Sequence, residues 1–119
     1  IYEILKSILE QSDVCLNDLS RVRDFISIDD VVSCIINIVQ HPKAGIFNVG
    51  TGVGTSIKDL AEKIISFSPD YSGKLLSKKV LCSHSSIVLN IENTIKQFNW
   101  FPKKNTDHIL NDLLKMVVL

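Results

Sequence analysis

The chain has 119 residues and a mass of 13.3 kDa, with 45% hydrophobic and 22% charged residues. This is enough for one domain with its own apolar core, which argues against intrinsic disorder. Thirteen basic and thirteen acidic residues give a net charge of zero, which argues against binding to nucleic acid or to an anionic membrane. Any anion site must therefore be local.

The cysteine pattern and the chain ends bear on cellular location. Cys15, Cys34 and Cys82 are far apart and form no CxxC pair, which is typical of reduced thiols in the cytoplasm. No apolar run approaches the roughly 20 residues of a membrane span, and the first residues lack a signal-sequence pattern. Residue 1 is Ile1 and the only methionine is Met116, so we expect a cytoplasmic chain cut from a longer polypeptide.

In the first half, apolar residues at helical spacing predict an amphipathic helix over residues 1–11, followed by a short strand over residues 14–16. A second strand is predicted over residues 25–28, with Arg23 just before it. A helix then runs from Asp29 to about His41, because two adjacent aspartates suit a helix N-terminus and a proline follows its end.

The second half alternates apolar runs with turn residues. Trp100 stands before a proline and is predicted to anchor the core. The predicted elements are a buried strand over residues 46–49, a glycine-rich turn over residues 50–55, a helix capped by Ser56 with Asp59, extended runs over residues 75–81 and 87–91, a helix from Ile91 to about Asn99, and a last helix capped by Thr106.

The turn over residues 50–55 reads GTGVGT, between a predicted strand and a predicted helix. The dinucleotide fingerprint is GxGxxG, and Thr55 stands where its third glycine belongs. The pattern therefore predicts a tight strand-to-helix turn. A lesser alternative is that Thr55 and Ser56 face a ligand phosphate at the helix N-terminus.

The sequence gives little support for a metal site or for a functional basic patch. His41, His84 and His108 share no ligand spacing, so no metal site is expected. The basic pairs at residues 78–79 and 103–104 are expected on the solvated surface, given the zero net charge.

Three ordered blocks carry a resemblance to a known family. Residues 23–32 read RDFISIDDVV, residues 45–60 read GIFNVGTGVGTSIKDL, and residues 99–103 read NWFPK. Together they resemble the C-terminal part of the extended short-chain dehydrogenase/reductase family, the NAD-dependent nucleotide-sugar epimerases and dehydratases. The resemblance implies that residues 1–119 form a small mixed α/β substrate-binding domain, with short strands and about five helices, that lacks the Rossmann core.

The resemblance also implies substrate-binding residues. The Arg of the first block binds a nucleotide phosphate in that family, and Arg23 is its match. Composition alone favours an ion pair between Arg23 and a local aspartate. Family members often have a second phosphate-binding Arg before the final strand. That region here reads KVLCSH over residues 79–84, so Lys78, Lys79 or His84 is expected to replace the contact.

No catalytic residue and no cofactor site is predicted within this chain. Tyr2 and Lys6 have the Tyr-x-x-x-Lys spacing of the family's catalytic pair, but the resemblance places the true pair upstream of residue 1, in the Rossmann domain that binds NAD. NAD is therefore expected only in the full-length parent, and the parent's enzymatic status stays open.

The expected function is the nucleotide-sugar-binding portion of an NAD-dependent epimerase or dehydratase. Its expected partners are a nucleotide-diphosphate sugar and the N-terminal Rossmann domain. Two alternatives remain: a degenerate relative that acts as a non-enzymatic binding module, and part of an NADPH-dependent nucleotide-sugar reductase. The apolar surface meant for the absent domain is expected to be exposed and to cause self-association.

Overall fold

The structure is a computed structural model that describes residues 1–78 and 85–117. Within these ranges it is a small mixed α/β fold with five helices and short strands, as the sequence predicts. The helices are α1 (Tyr2–Leu9), α2 (Ile28–Gln40), α3 (Ile57–Ser66), α4 (Glu92–Phe98) and α5 (Thr106–Val117). The strands are β1 (Val14–Leu16), β2 (Val22–Asp24), β3 (Gly54–Ser56), β4 (Leu75–Ser77) and β5 (Ser86–Ile87).

The chain divides into two compact units, of which the first comprises residues 1–23 and 55–86. Strands β1 and β4 pair in parallel, with Val14 opposite Leu75. Helices α1 and α3 pack together because each buries one apolar stripe. Among the described residues of this unit, the buried apolar side chains are Ile4, Ile8, Val14, Leu60, Ala61 and Ile64.

A second sheet has the strand order β3-β2-β5, with β2 in the centre. The predicted strand over residues 25–28 is therefore wrong, and Arg23 lies inside a strand rather than before one. The helix begins earlier than predicted, because the Ser27 side chain accepts the Asp29 backbone N–H at 3.2 Å and caps α2. Ile28, expected in a strand, is the first residue of that helix.

The predicted buried strand over residues 46–49 is also wrong. Ile46 is 93% exposed, and the segment is a loop. The Thr94 hydroxyl donates to the Asn48 carbonyl at 2.6 Å, and the Asn48 amide donates to the Asn90 carbonyl at 2.9 Å. These two bonds hold the loop at Asn48, and its carbonyl is bonded by a side chain rather than by a neighbouring strand.

The second unit comprises residues 24–54 and 87–119. Its core contains Cys34, Phe98 and Trp100, with Ile26, Ile38, Phe47 and Val49 packed against them. The rings of Phe47 and Phe98 meet edge to face, with 4.8 Å between their centroids. The core position predicted for Trp100 is confirmed, since only 5% of this residue is exposed.

The helix caps follow the sequence in one case and differ in another. Ser56 accepts the Asp59 backbone N–H at 3.0 Å, which confirms the predicted cap of α3. The cap of α5 is Asn105, one residue before the predicted Thr106, because the Asn105 side chain accepts the His108 N–H at 3.0 Å. Helix α4 ends at Asn99 in the left-handed conformation, with φ 47°.

The first predicted extended run begins with strand β4 over Leu75–Ser77, and its last residues, 79–81, lie outside the described part of the chain, as do residues 82–84. The second predicted run, residues 87–91, is only partly formed, because the described strand is Ser86–Ile87. None of the helices that the structure describes is long and apolar enough to cross a bilayer.

Candidate functional site

Arg23 is held by backbone carbonyls in the first unit. Its Nη1 donates to the Val22 carbonyl at 2.7 Å and to the Ser85 carbonyl at 3.0 Å. In residues 1–78 and 85–117, no acidic side chain forms an ion pair with it, and no residue accepts from its Nε or Nη2. The guanidinium is thus oriented but not neutralised, and an edge with three N–H groups remains for a bidentate anion contact.

The neighbouring cation differs from Arg23 in its electrostatics. Arg21 Nε lies 3.3 Å from Asp18 Oδ2, and Asp18 also accepts from the Ser20 hydroxyl at 2.6 Å and the Ser20 N–H at 3.0 Å. These hydrogen bonds, followed by the Arg21 contact, lower the pKa of Asp18. The local ion pair that composition alone favoured for Arg23 is formed by Arg21 instead.

Arg23 lines a shallow cleft of about 240 Å³ with Leu16, Asn17, Asp18, Arg21 and Ile57. The volume is below the usual range for a drug-sized ligand, so the described part of the cleft suits one small polar group such as a phosphate. Asn17 contributes an exposed amide that the sequence reading assigned only to a turn. The sequence indicates this role only weakly, because an asparagine in a turn usually stabilises the local backbone by a hydrogen bond.

Of the other predicted substrate residues, the structure describes Lys78 alone. Its backbone N–H donates to the Leu16 carbonyl at 2.7 Å, next to the cleft lining, and the residue is exposed. Lys79 and His84 lie outside the described residues, so their predicted roles stay predictions.

The N-terminus of α3 has its first amides already bonded. The Ile57 N–H donates to the Arg21 carbonyl at 2.8 Å, and the Lys58 N–H donates to the Leu19 carbonyl at 2.9 Å. The Ser56 hydroxyl accepts from the helix itself as its cap. These groups hold the 19–21 turn that precedes β2, which leaves little support for the lesser alternative of a phosphate at this helix end.

Asp24 is the structural centre of the second unit's loops, and the sequence reading gave it no role. Its Oδ1 accepts the Thr51 N–H at 2.9 Å and also the Thr51 hydroxyl, while its Oδ2 accepts the N–H groups of Gly52 at 2.9 Å and Leu89 at 3.3 Å. Burial opposes ionisation, but these hydrogen bonds outweigh it and hold the pKa of Asp24 below its usual range. One carboxylate thus ties together three segments.

The glycine-rich turn is built around Asp24. A Cβ on Gly50 would lie 2.7 Å from Asp24 Oδ2 and 2.9 Å from the Leu89 side chain, so this glycine is required by close approach. The amides of Thr51 and Gly52 point at the carboxylate, where a dinucleotide site would need them for a pyrophosphate. The turn therefore does not fit NAD.

The described residues offer little support for a metal site or for a catalytic nucleophile. They contain no cluster of three or more His, Cys, Asp or Glu side chains that could hold a metal ion. Tyr2 is 72% exposed at the start of α1. Cys15 is exposed, and burial raises the pKa of the Cys34 thiol, which makes Cys34 a core residue rather than a nucleophile. Cys82 lies outside the described residues.

The structure is a mixed α/β chain in which Arg23 lines a small cleft. Residues 1–50 match the model of the NAD dependent epimerase/dehydratase family. The resemblance to extended short-chain dehydrogenases/reductases that the sequence suggested is thereby confirmed.

Solved structures share the fold. The ADP-L-glycero-D-manno-heptose-6-epimerase of Helicobacter pylori matches 98% of this chain with a TM-score of 0.82 and 22% identity. The UDP-glucuronic acid 4-epimerase of Bacillus cereus matches 98% of this chain with a TM-score of 0.77 and 20% identity. The dTDP-glucose 4,6-dehydratase of Bacillus anthracis matches 94% of this chain with a TM-score of 0.77 and 19% identity. The chain spans only 36–39% of the length of these three proteins.

Proposed function

We propose that this chain is the nucleotide-sugar-binding portion of an NAD-dependent sugar-nucleotide epimerase or dehydratase, acting in the cytoplasm. Residues 1–119 would form the substrate-binding part, and an N-terminal Rossmann domain would be its partner. The observation that carries the proposal is the guanidinium of Arg23, which carbonyls orient and which no acidic side chain in the described ranges neutralises.

The chemistry of the proposed ligand suits this site. The Bacillus cereus epimerase was solved with UDP-glucuronic acid and NAD, and a nucleotide-diphosphate sugar carries a diphosphate between two larger groups. A phosphate fits the small cleft, and the free edge of Arg23 matches its oxygens in a bidentate contact. Lys78 beside the cleft is proposed as a second cation, together with Lys79 and His84.

The roles divide between this chain and its proposed partner. This chain would bind the diphosphate and fix the position of the sugar. Such positioning lowers the activation barrier of a reaction that needs a defined geometry. NAD, bound to the partner, would accept and return the hydride. Without the partner, the chain should bind the ligand without turning it over.

The test is the affinity for UDP and dTDP. We expect Arg23→Ala to weaken UDP binding by about 10- to 100-fold, because a charge-assisted bond to phosphate contributes about 1.5–3 kcal/mol. Isothermal titration of UDP, dTDP and uridine into the wild-type chain and the variant measures this. Uridine lacks the phosphates, so its weaker binding should not change between the two proteins.

Arg21→Ala is the matched control, because it removes the same charge from the same cleft. Its guanidinium is already paired with Asp18, so we expect it to weaken UDP binding by less than about threefold. Equal UDP affinities for the wild type and Arg23→Ala would refute the proposal. Equal losses in the two variants would show a general charge effect rather than a specific contact.

A further inference from the structure

The side-chain amide of Asn17 is unused beside Arg23. Asn17 is exposed and lines the same cleft as Arg23. Within residues 1–78 and 85–117, no group donates to its Oδ1 and no group accepts from its Nδ2. An asparagine in a turn usually bonds the local backbone, and Asn17 does not. Its amide therefore keeps an acceptor oxygen and an NH₂ donor group for a ligand.

The backbone on both sides of Asn17 is held by hydrogen bonds. Before it, the Leu16 carbonyl accepts the Lys78 N–H at 2.7 Å. After it, the Leu19 carbonyl accepts the Lys58 N–H at 2.9 Å. Only the side-chain torsions of Asn17 remain to be ordered when a ligand binds, and a preorganised contact loses less affinity to ordering.

The cleft volume and the chemistry of a nucleotide decide which ligand group meets this amide. The cleft of about 240 Å³ suits one phosphate at Arg23, and in a nucleotide the 5′ phosphate is joined to the ribose. A phosphate oxygen only accepts hydrogen bonds, so it matches the guanidinium, whereas the Oδ1 of Asn17 would repel it.

The ribose offers groups that match both ends of the amide. It carries neighbouring 2′ and 3′ hydroxyls, and a hydroxyl can both donate and accept a hydrogen bond. The oxygen and the nitrogen of the Asn17 amide lie side by side. The amide can therefore accept from one hydroxyl and donate to the other.

We propose that Asn17 binds the 2′,3′-diol of the ribose and is a specificity-determining residue of the Arg23 cleft. The cleft then prefers ribonucleotide-diphosphate sugars over those with a 2′-deoxyribose, such as dTDP-sugars. The inference rests on the proposed function, because the phosphate bound at Arg23 is what brings the ribose to Asn17.

Isothermal titration of UDP and 2′-deoxy-UDP into the 119-residue chain tests the proposal. We expect the wild type to bind UDP about three- to tenfold more tightly than 2′-deoxy-UDP, which corresponds to one uncharged hydrogen bond. Asn17→Ala should bind the two nucleotides with equal affinity, because it removes the group that distinguishes them. A merely structural role would weaken both nucleotides alike and leave the preference for UDP unchanged.

Asn111→Ala is the matched control. Asn111 is an exposed asparagine on α5, outside the lining of the cleft, so this variant should keep the wild-type preference for UDP. Asn17 and Asn111 are both exposed, and circular dichroism should therefore show that both variants are folded.

The outcomes separate this inference from the proposed function. A wild type without a preference, or an Asn17→Ala variant that keeps the preference, overturns the inference, while the proposed function stands if Arg23→Ala still weakens UDP binding. If Arg23→Ala has no effect on UDP binding, the proposed function fails and the inference fails with it. If Asn17→Ala weakens the binding of UDP-glucose but not of UDP, the amide contacts the hexose, and the assignment to the ribose is wrong.

Discussion

Replacing Asp24 by asparagine should lower the free energy of unfolding by about 2–4 kcal/mol, a large part of the stability of a domain this size. The two oxygens of the carboxylate accept from three backbone N–H groups and one hydroxyl. An asparagine offers one acceptor oxygen and points an amide donor at the remaining donors. The variant would therefore leave partly buried N–H groups of the 51–52 turn or of Leu89 without an acceptor.

Urea unfolding followed by circular dichroism measures this loss. Asp70→Asn is a suitable control, because Asp70 is an exposed aspartate in the turn after α3, and we expect it to change stability by less than about 0.5 kcal/mol. If the two variants unfold at the same urea concentration, the convergence of donors on Asp24 does not stabilise the fold.

The same carboxylate should make stability depend on pH. The pKa of Asp24 in the folded protein is below the ordinary aspartate value of 3.8, so ionisation stabilises the fold above about pH 4, and this contribution is lost as pH falls through the folded pKa. Asparagine cannot titrate. The difference in unfolding free energy between wild type and Asp24→Asn should therefore be constant near neutral pH and shrink below about pH 4. Urea titrations from pH 2.5 to 7 would show a constant difference if this explanation were wrong.

Periodicity in the sequence predicted the helices well, because each helix buries an apolar stripe that repeats at helical spacing. It failed where a short apolar pattern fits more than one kind of structure. Ile26 and Ile28 look like a strand by alternation, but Ser27 between them caps a helix, and a cap depends on one side-chain geometry. The 46–49 run failed for a tertiary reason, because Thr94 and Asn90 bond Asn48, and these residues are distant in sequence.

The sequence predicted only part of the candidate site. Arg23 stood out through the family pattern, yet its orientation depends on the Ser85 carbonyl, 62 residues away. Asp24, directly beside it, was missed. Its signal was the glycine-rich turn, since consecutive backbone N–H groups of such a turn attract an anion. The anion that these N–H groups bind is the Asp24 carboxylate of the chain itself, and not a ligand.

The second large effect is expected at Trp100. Trp100→Ala should lower the free energy of unfolding by about 3–5 kcal/mol, because it leaves a cavity in the core. Trp100 packs there with Cys34 and Phe98, and only 5% of the residue is exposed. The indole Nε1 also donates to the Ser33 hydroxyl at 2.9 Å, and that hydroxyl donates to the Asp30 carbonyl at 2.8 Å. The ring therefore joins the end of α4 to the first turns of α2.

Two further variants separate packing from hydrogen bonding at this position. Trp100→Phe keeps most of the apolar volume and loses the indole N–H, so it should cost about 1–2 kcal/mol. Phe101→Ala removes the neighbouring ring, which is 54% exposed, and should cost less than about 1 kcal/mol. Chemical unfolding followed by circular dichroism ranks the three. A Phe variant as unstable as Trp100→Ala would assign most of the stabilisation to the Ser33 contact, because Phe retains most of the apolar volume and loses that hydrogen bond completely.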